Sequence, residues 1–266
     1  MTRPRIAILF SGQPRSVDGI SYKSFQKCIL EKYDVDVYAH FWGDIEMGKS
    51  SGSTYENIET FKRLYNPKAI QVDPPLTSEE YPIDFIQKYS STPITRHNVF
   101  DIPYDRGWTA WVRNCISMYT SMQRVYDVFK ANTSSDYDWV IRTRTDCVLL
   151  RFPRLDSLDG QYMYAPNWHG NHHPVIVNHT LILPPDIAPV MFNLRNTVEN
   201  LRGNMDEEFV YNHLKSENLL DRVLTIPLNQ FYPTLTRNGI ITDRPEPNMT
   251  SEVTEPPYQL MMAPRC

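Results

Sequence analysis

The chain reads as an α/β protein: a single domain over residues 1–266, with a mostly parallel central sheet and helices on both faces. Two observations point there. Over residues 5–72, short apolar strands alternate with amphipathic helices in the order β-α-β-α-β, the order of a parallel sheet covered by helices. Neither an internal repeat nor a sharp change of composition divides the 266 residues, which suffice to bury a substantial core.

Arg5–Phe10 is a short, β-rich apolar run and reads as a buried first strand. Ser11-Gly12-Gln13-Pro14-Arg15-Ser16 is a turn, and a helix follows to about Lys32 with Ile20, Phe25, Cys28 and Ile29 on its apolar side. Val35–Phe41 is a second strand, Thr54–Tyr65 a helix, and Ala69–Val72 a third strand stopped by Pro74-Pro75. Residues 74–107 are polar and Pro/Tyr-rich, with one short helix expected over Ser78–Tyr89; a loop this long in a compact domain is usually functional. Trp108–Lys130 is the strongest helix: Trp111, Cys115, Tyr119, Met122, Tyr126 and Phe129 recur at three- and four-residue steps. Asn114, Ser117 and Ser121 occupy another of its faces. Strands are expected at 138–142, Cys147–Leu150, Gln161–Ala165, Val175–Leu183 and Val223–Ile226. Asp186 is placed to cap a helix running to about Leu201, and Asp206 to cap Glu207–Ser216. The tail 243–266 holds five prolines and little periodicity.

Composition bounds the function. With 27 basic and 31 acidic residues the net charge is −4, which argues against a nucleic-acid partner. The N-terminal apolar run Ile6–Phe10 is too short for a signal segment or a membrane span, so a cytoplasmic protein is expected. Cys28, Cys115, Cys147 and Cys266 are scattered without metal-ligand spacing and read as reduced thiols. The sequons at Asn132, Asn178 and Asn248 then have no role.

Three places concentrate chemistry. Ser11, Gly12, Gln13 and Arg15 lie where the first strand turns into a helix, and His40 closes the second strand; open α/β sheets bind ligands beyond such strand ends, where backbone N–H groups favour anions. Asp138–Leu150 runs an apolar strand into Arg142, Arg144 and Asp146, charges that are costly at a strand end unless a partner is present. A nucleoside diphosphate gripped by the arginines, with a divalent ion on Asp146, is the obvious partner. Asp206, Glu207 and Glu208 open a late helix. Each is a candidate base for deprotonating a hydroxyl, and each is also ordinary first-turn chemistry. A fourth, polar stretch, Asn167–His173, has His169, His172 and His173 as acceptor-binding or metal-completing candidates; Gly170 and Pro174 argue against a helical zinc pair.

Residues 8–15, 35–42 and 138–146 together, in this order and spacing, resemble nucleotide-sugar glycosyltransferases of the GT-A fold over about residues 5–215. The chain is most similar to small soluble enzymes from capsule and lipopolysaccharide loci and from large DNA viruses. The resemblance implies a nucleoside-diphosphate sugar donor (UDP ahead of GDP), Mn2+ or Mg2+, and inverting transfer to a hydroxyl of an oligosaccharide or glycoprotein. It implies a donor-binding half over about 1–150 and an acceptor-binding half over about 151–242. The family's Asp-x-Asp is here Arg144-Thr145-Asp146, which keeps only the last carboxylate as the metal ligand. A nucleotidyltransferase is the competing enzyme class, though the Gly-rich, Lys-bearing loop it would need after the first strand is absent. A sugar-binding module that has lost catalysis is the competing non-enzyme.

Overall fold

A computed structural model describes residues 3–43, 55–89, 95, 108–134, 136–168, 176–201, 203, 206–237 and 240–241. The expected histidine loop 169–173, most of 90–107 and the tail 243–266 lie outside them.

The strands are β1 (Arg5–Gly12), β2 (Asp34–Trp42), β3 (Ala69–Asp73), β4 (Trp139–Thr143), β5 (Cys147–Arg151), β6 (Met163–Pro166), β7 (Leu181–Leu183), β8 (Val223–Ile226), β9 (Tyr232–Arg237) and β10 (Ile240–Ile241). The helices are α1 (Gly19–Phe25), α2 (Tyr55–Tyr65), α3 (Ile83–Gln87), α4 (Trp108–Asn132), α5 (Ala188–Phe192), α6 (Leu194–Thr197) and α7 (Asp206–Ser216). Seven strands form one sheet in the order β3-β2-β1-β4-β7-β6-β8, and β10-β9-β5 form a second. In the large sheet β3, β2, β1 and β4 are mutually parallel and β7 runs against them.

Pleating explains the two cores. Along β1, Ala7 and Leu9 face α3–α7, whereas Ile6, Ile8 and Phe10 face α1 and α2. All five side chains are fully buried, as a central parallel strand requires. On the α1/α2 side Phe10 meets Phe25 and Phe61 edge-on, each at 5.2 Å, and Phe61 stacks on Tyr65 at 4.5 Å. Truncating such an aromatic costs about 3–5 kcal/mol.

Several expectations are corrected. On α1 the buried residues are Ser21 and Phe25, followed by Ile29 on the π-helical turn Gln26–Leu30; Ile20 is 42% exposed. The stripe therefore runs at four-residue steps from Ser21. The helix expected over Ser78–Tyr89 divides at Pro82, which has no N–H to continue it, into the 3-10 turn Ser78–Glu80 and α3. Asp186 is not the N-cap, which is Ile187: it pairs with Arg222 at 2.6 Å, and the helix after it breaks at Asn193, whose side chain accepts from Asn196 Nδ2 at 2.6 Å. The strand expected from Val175 begins only at Leu181, because Ile176 N donates to Glu207 O (3.2 Å) instead of to a sheet neighbour. No helix among the described residues is long and apolar enough to cross a membrane.

Candidate active site

The chain order reverses at β1. From there β2 and β3 extend the sheet one way, while β4 is added on the other side. A crevice beyond the carboxyl ends of β1 and β4 is therefore the expected ligand position of an open α/β sheet. Three of the places singled out above meet there.

The β1 turn is stitched to the end of β4. Arg15 N donates to Gln13 O (2.9 Å) and to Thr145 Oγ1 (3.0 Å), and Thr145 Oγ1 donates to Gln13 O (3.3 Å). Gly12 has φ +112°, a conformation side chains rarely adopt, and a Cβ built there would meet no atom within 4 Å. Backbone therefore faces open space at this point. Ser11 Oγ and Gln13 Oε1 are sealed without a hydrogen-bond partner among the described residues. The Arg15 side chain is half-buried beside them.

His40 is fully buried and engaged on both sides. Its Nδ1 meets Ser121 Oγ at 2.7 Å and its Nε2 meets Asp73 Oδ2 at 3.1 Å. Gly12 N donates to the same Ser121 hydroxyl (2.7 Å), and Arg124 binds Asp73 at 2.7 Å and Glu80 at 3.0 Å. One polar chain thus ties the ends of β1, β2 and β3 to α4. Burial pushes the imidazole down to about 4 despite Asp73, so His40 is neutral at pH 7. Its place is inside the frame, behind the β1 turn.

Arg144-Thr145-Asp146 is the corner where the chain leaves the large sheet at Thr143 and enters the small one at Cys147. Arg144 grips Asp146 as a fork, Nε to Oδ1 at 2.8 Å and Nη2 to Oδ2 at 2.9 Å. Burial opposes the Arg144 charge, but the Asp146 carboxylate outweighs it and holds the guanidinium above its ordinary range. Arg142, paired with Leu9 of β1 and Leu181 of β7, is 0% exposed. All three of its guanidinium nitrogens lack a partner among the described residues. Burial and then the neighbouring Arg144 push it down to about 9, and Asp206 acts in the opposite sense. It remains charged at pH 7.

β7 returns antiparallel beside β4, with Leu181 opposite Arg142 and Thr180 Oγ1 3.0 Å from Thr143 Oγ1. This brings Asn178 and His179 to the same corner. Asn178 Nδ2 donates to Asp206 Oδ2 (3.2 Å) at the start of α7, and Tyr119 of α4 donates to Asp206 O (3.0 Å). Asp206 and Glu207 share a hydrogen bond. Burial raises Glu207 first, and the Asp206 carboxyl adds to it, to about 8. Burial also opposes ionisation of Asp206, but Glu207, His179 and Asn178 together hold it below the usual carboxylate range. His179 is pushed down to about 4 by burial and by Arg144, and its Nδ1 is sealed without a partner among the described residues. Glu208 is half-buried on the same first turn.

Asn178 and His179 were not singled out from the sequence, where they read only as a sequon. Asn178 is 0% exposed, so its side chain is closed to glycosylation in the fold. The signal available was a polar triplet directly before an apolar strand. Strand β9 was also unforeseen, hidden by Pro233 and by the polar Thr234 and Thr236, both fully buried.

The resemblance implies a divalent cation on Asp146; His169, His172 and His173, which could complete such a site, lie outside the described residues, and among those described the strand-end corner offers this one carboxylate. Both carboxylate oxygens accept from Arg144, and the residue is 1% exposed. No group of three His, Cys, Asp or Glu side chains able to hold a metal occurs among the described residues.

No protein-family model and no curated protein matches the chain. Among solved structures it is similar to the apo form of the glycosyltransferase GlyE of Streptococcus pneumoniae TIGR4, at 11% identity over 86% of this chain and 46% of that one, TM-score 0.41. It therefore spans about half the length of that protein. It is also similar to a glycosyltransferase involved in glycosylation of the major capsid of PBCV-1 (11% identity, 89% of this chain, 86% of that one, TM-score 0.36). Mouse xyloside xylosyltransferase 1 in its apo form is a third (10% identity, 85% of each chain, TM-score 0.40). Likenesses this distant assign no residue and no activity.

Proposed function

We propose that the chain transfers a sugar from a nucleoside-diphosphate sugar to a glycan hydroxyl, with inversion at the anomeric carbon. The observation that carries this reading is Arg142: a sealed guanidinium without a partner among the described residues, at the carboxyl end of a central strand, close to a carboxyl pair that shares a proton. A diphosphate is an anion suited to Arg142, Arg144 and Arg15 around one crevice, and guanidinium forks match phosphate oxygens. The sugar, and UDP ahead of GDP, rest on the sequence resemblance. Because Arg142 is sealed, the anion reaches it as the corner reshapes on binding, and the unmade hydrogen bonds of its guanidinium favour that change.

Glu207 suits the role of base. A carboxyl with its pKa near 8 is a far stronger proton acceptor than an ordinary one, and Asp206 beside it keeps it so. In its ionised form Glu207 takes the proton of the acceptor hydroxyl. The hydroxyl oxygen bonds to the anomeric carbon as the bond from that carbon to the β-phosphate oxygen breaks. The nucleoside diphosphate leaves with the electron pair, and its growing charge faces the arginines, an electrostatic contribution of the kind that dominates many such steps. Asp206 acts as a positioning residue, anchored by Asn178 and Glu207.

The test is a panel of nucleotide sugars incubated with the protein, with and without glycan acceptors, reading released nucleotide and the anomeric configuration of any product. Release of UDP or GDP supports the reading. If no sugar in the panel is consumed and neither nucleotide binds, the reading fails.

A further inference from the structure

We propose that this chain holds the diphosphate of its donor without a divalent cation, the guanidinium groups of Arg142 and Arg144 supplying the counter-charge. The inference rests on the reading of the crevice as a nucleoside-diphosphate site.

Three features of the corner lead there. A divalent ion needs lone pairs from at least one carboxylate, in addition to those of the phosphates. Asp146 is the only acidic residue of the strand-end corner 142–147. Both its oxygens are committed to Arg144 in a planar fork, at 2.8 and 2.9 Å. Each carboxylate oxygen keeps a further lone pair, but a dication placed there stands directly beside the Arg144 guanidinium, like charge against like charge. The pairing and the metal therefore oppose one another.

Among the described residues the neighbouring acids offer no second ligand. Asp206 is bound by Asn178 Nδ2 and by Glu207, and Glu207 keeps its proton at neutral pH. A neutral carboxylic acid is a poor ligand for a hard cation.

The unmade donors of Arg142 also favour an anion at this corner. Asp146 offsets Arg144, while Arg142 has a nearby carboxylate in Asp206 but no hydrogen-bond partner among the described residues. The corner therefore offers two guanidinium groups, and the donors of Arg142 are unmade hydrogen bonds that phosphate oxygens can accept. On binding, Arg144 can turn one edge of its fork to the phosphate while Asp146 keeps the other.

Calorimetric titration of UDP and of GDP into the full chain, first in EDTA and then in Mn2+, decides the matter. The expected result is binding in EDTA, with Mn2+ changing Kd by less than about tenfold. Asp146→Asn removes the competing carboxylate and frees Arg144, so in EDTA it is expected to bind UDP more tightly, by about tenfold. A metal site gives the opposite sign. Binding only in Mn2+, or tightened about tenfold or more by it, overturns the proposal and leaves the diphosphate reading standing; so does loss of EDTA binding in Asp146→Asn. Absence of binding under both conditions overturns the two together. Should Asp146→Asn not fold, the wild-type comparison decides alone.

Discussion

Arg142→Met is expected to make the protein more stable and unable to bind nucleotide. The guanidinium brings five N–H donors into a site where Nε, Nη1 and Nη2 are all sealed and none has a partner among the described residues. An unmade buried hydrogen bond costs about 1–3 kcal/mol, and more on a charged group. Methionine has similar reach, no donor and a flexible thioether that fills irregular space. Allowing for imperfect filling, the exchange gains about 3 kcal/mol. In a chain of this size each kcal/mol moves the melting temperature by roughly 2–4 °C, so a rise of about 6–12 °C is expected. The assay is differential scanning calorimetry of wild type and variant, alone and with saturating UDP. Wild type should melt higher with UDP, since a ligand that binds only the folded state stabilises it; the variant should melt high in both conditions and gain nothing from the nucleotide. A variant that melts below wild type would falsify the premise, because it would mean that Arg142 is paired and supports the fold.

Turnover should rise with pH and level off above about 8, since Glu207 must be ionised to accept the proton. Glu207→Gln should lower turnover by roughly 100-fold with donor affinity unchanged, and Asp206→Asn should move the midpoint of the pH profile downward; a profile indifferent to both variants removes Glu207 from the reaction. His40 has a folded value of about 4 against 6.5 unfolded, so between these values the unfolded chain binds the extra proton and stability falls as pH drops. The loss is on the order of 3 kcal/mol, and urea midpoints at pH 7 and pH 4 for wild type and His40→Gln measure it. Equal slopes for the two proteins would mean that His40 does not titrate in this window.

The strands read most reliably were those with the simplest environment. The run Ile6–Phe10 is apolar throughout because β1 is buried on both faces, and Val223–Ile226 was legible for a similar reason: a short apolar run ended by Pro227. Local signals failed where the decisive partner was distant. Ile20 carries an apolar side chain and faces solvent, while Ser21 beside it is buried. The single helix read over 186–201 broke where Asn193 and Asn196 bonded to each other.

The sequence by itself determined the α/β order of the first strands and helices, the charged corner at Arg142–Asp146 and the acidic start of α7, because each is a property of neighbouring residues. It could not say which charges answer one another. Arg144 is paired with Asp146 while the Arg142 guanidinium has no hydrogen bond among the described residues because pleating sends Arg142 toward α4 and the chain turns out of the large sheet immediately after Thr143. Asn178 meets Asp206, and His179 comes to the arginines, only because β7 runs back antiparallel beside β4. Of the three acids Asp206, Glu207 and Glu208, Glu207 is singled out because burial and the carboxyl beside it both raise it, whereas Asp206, also desolvated, is held down by Glu207, His179 and Asn178; these are properties of the packed molecule that no local pattern encodes.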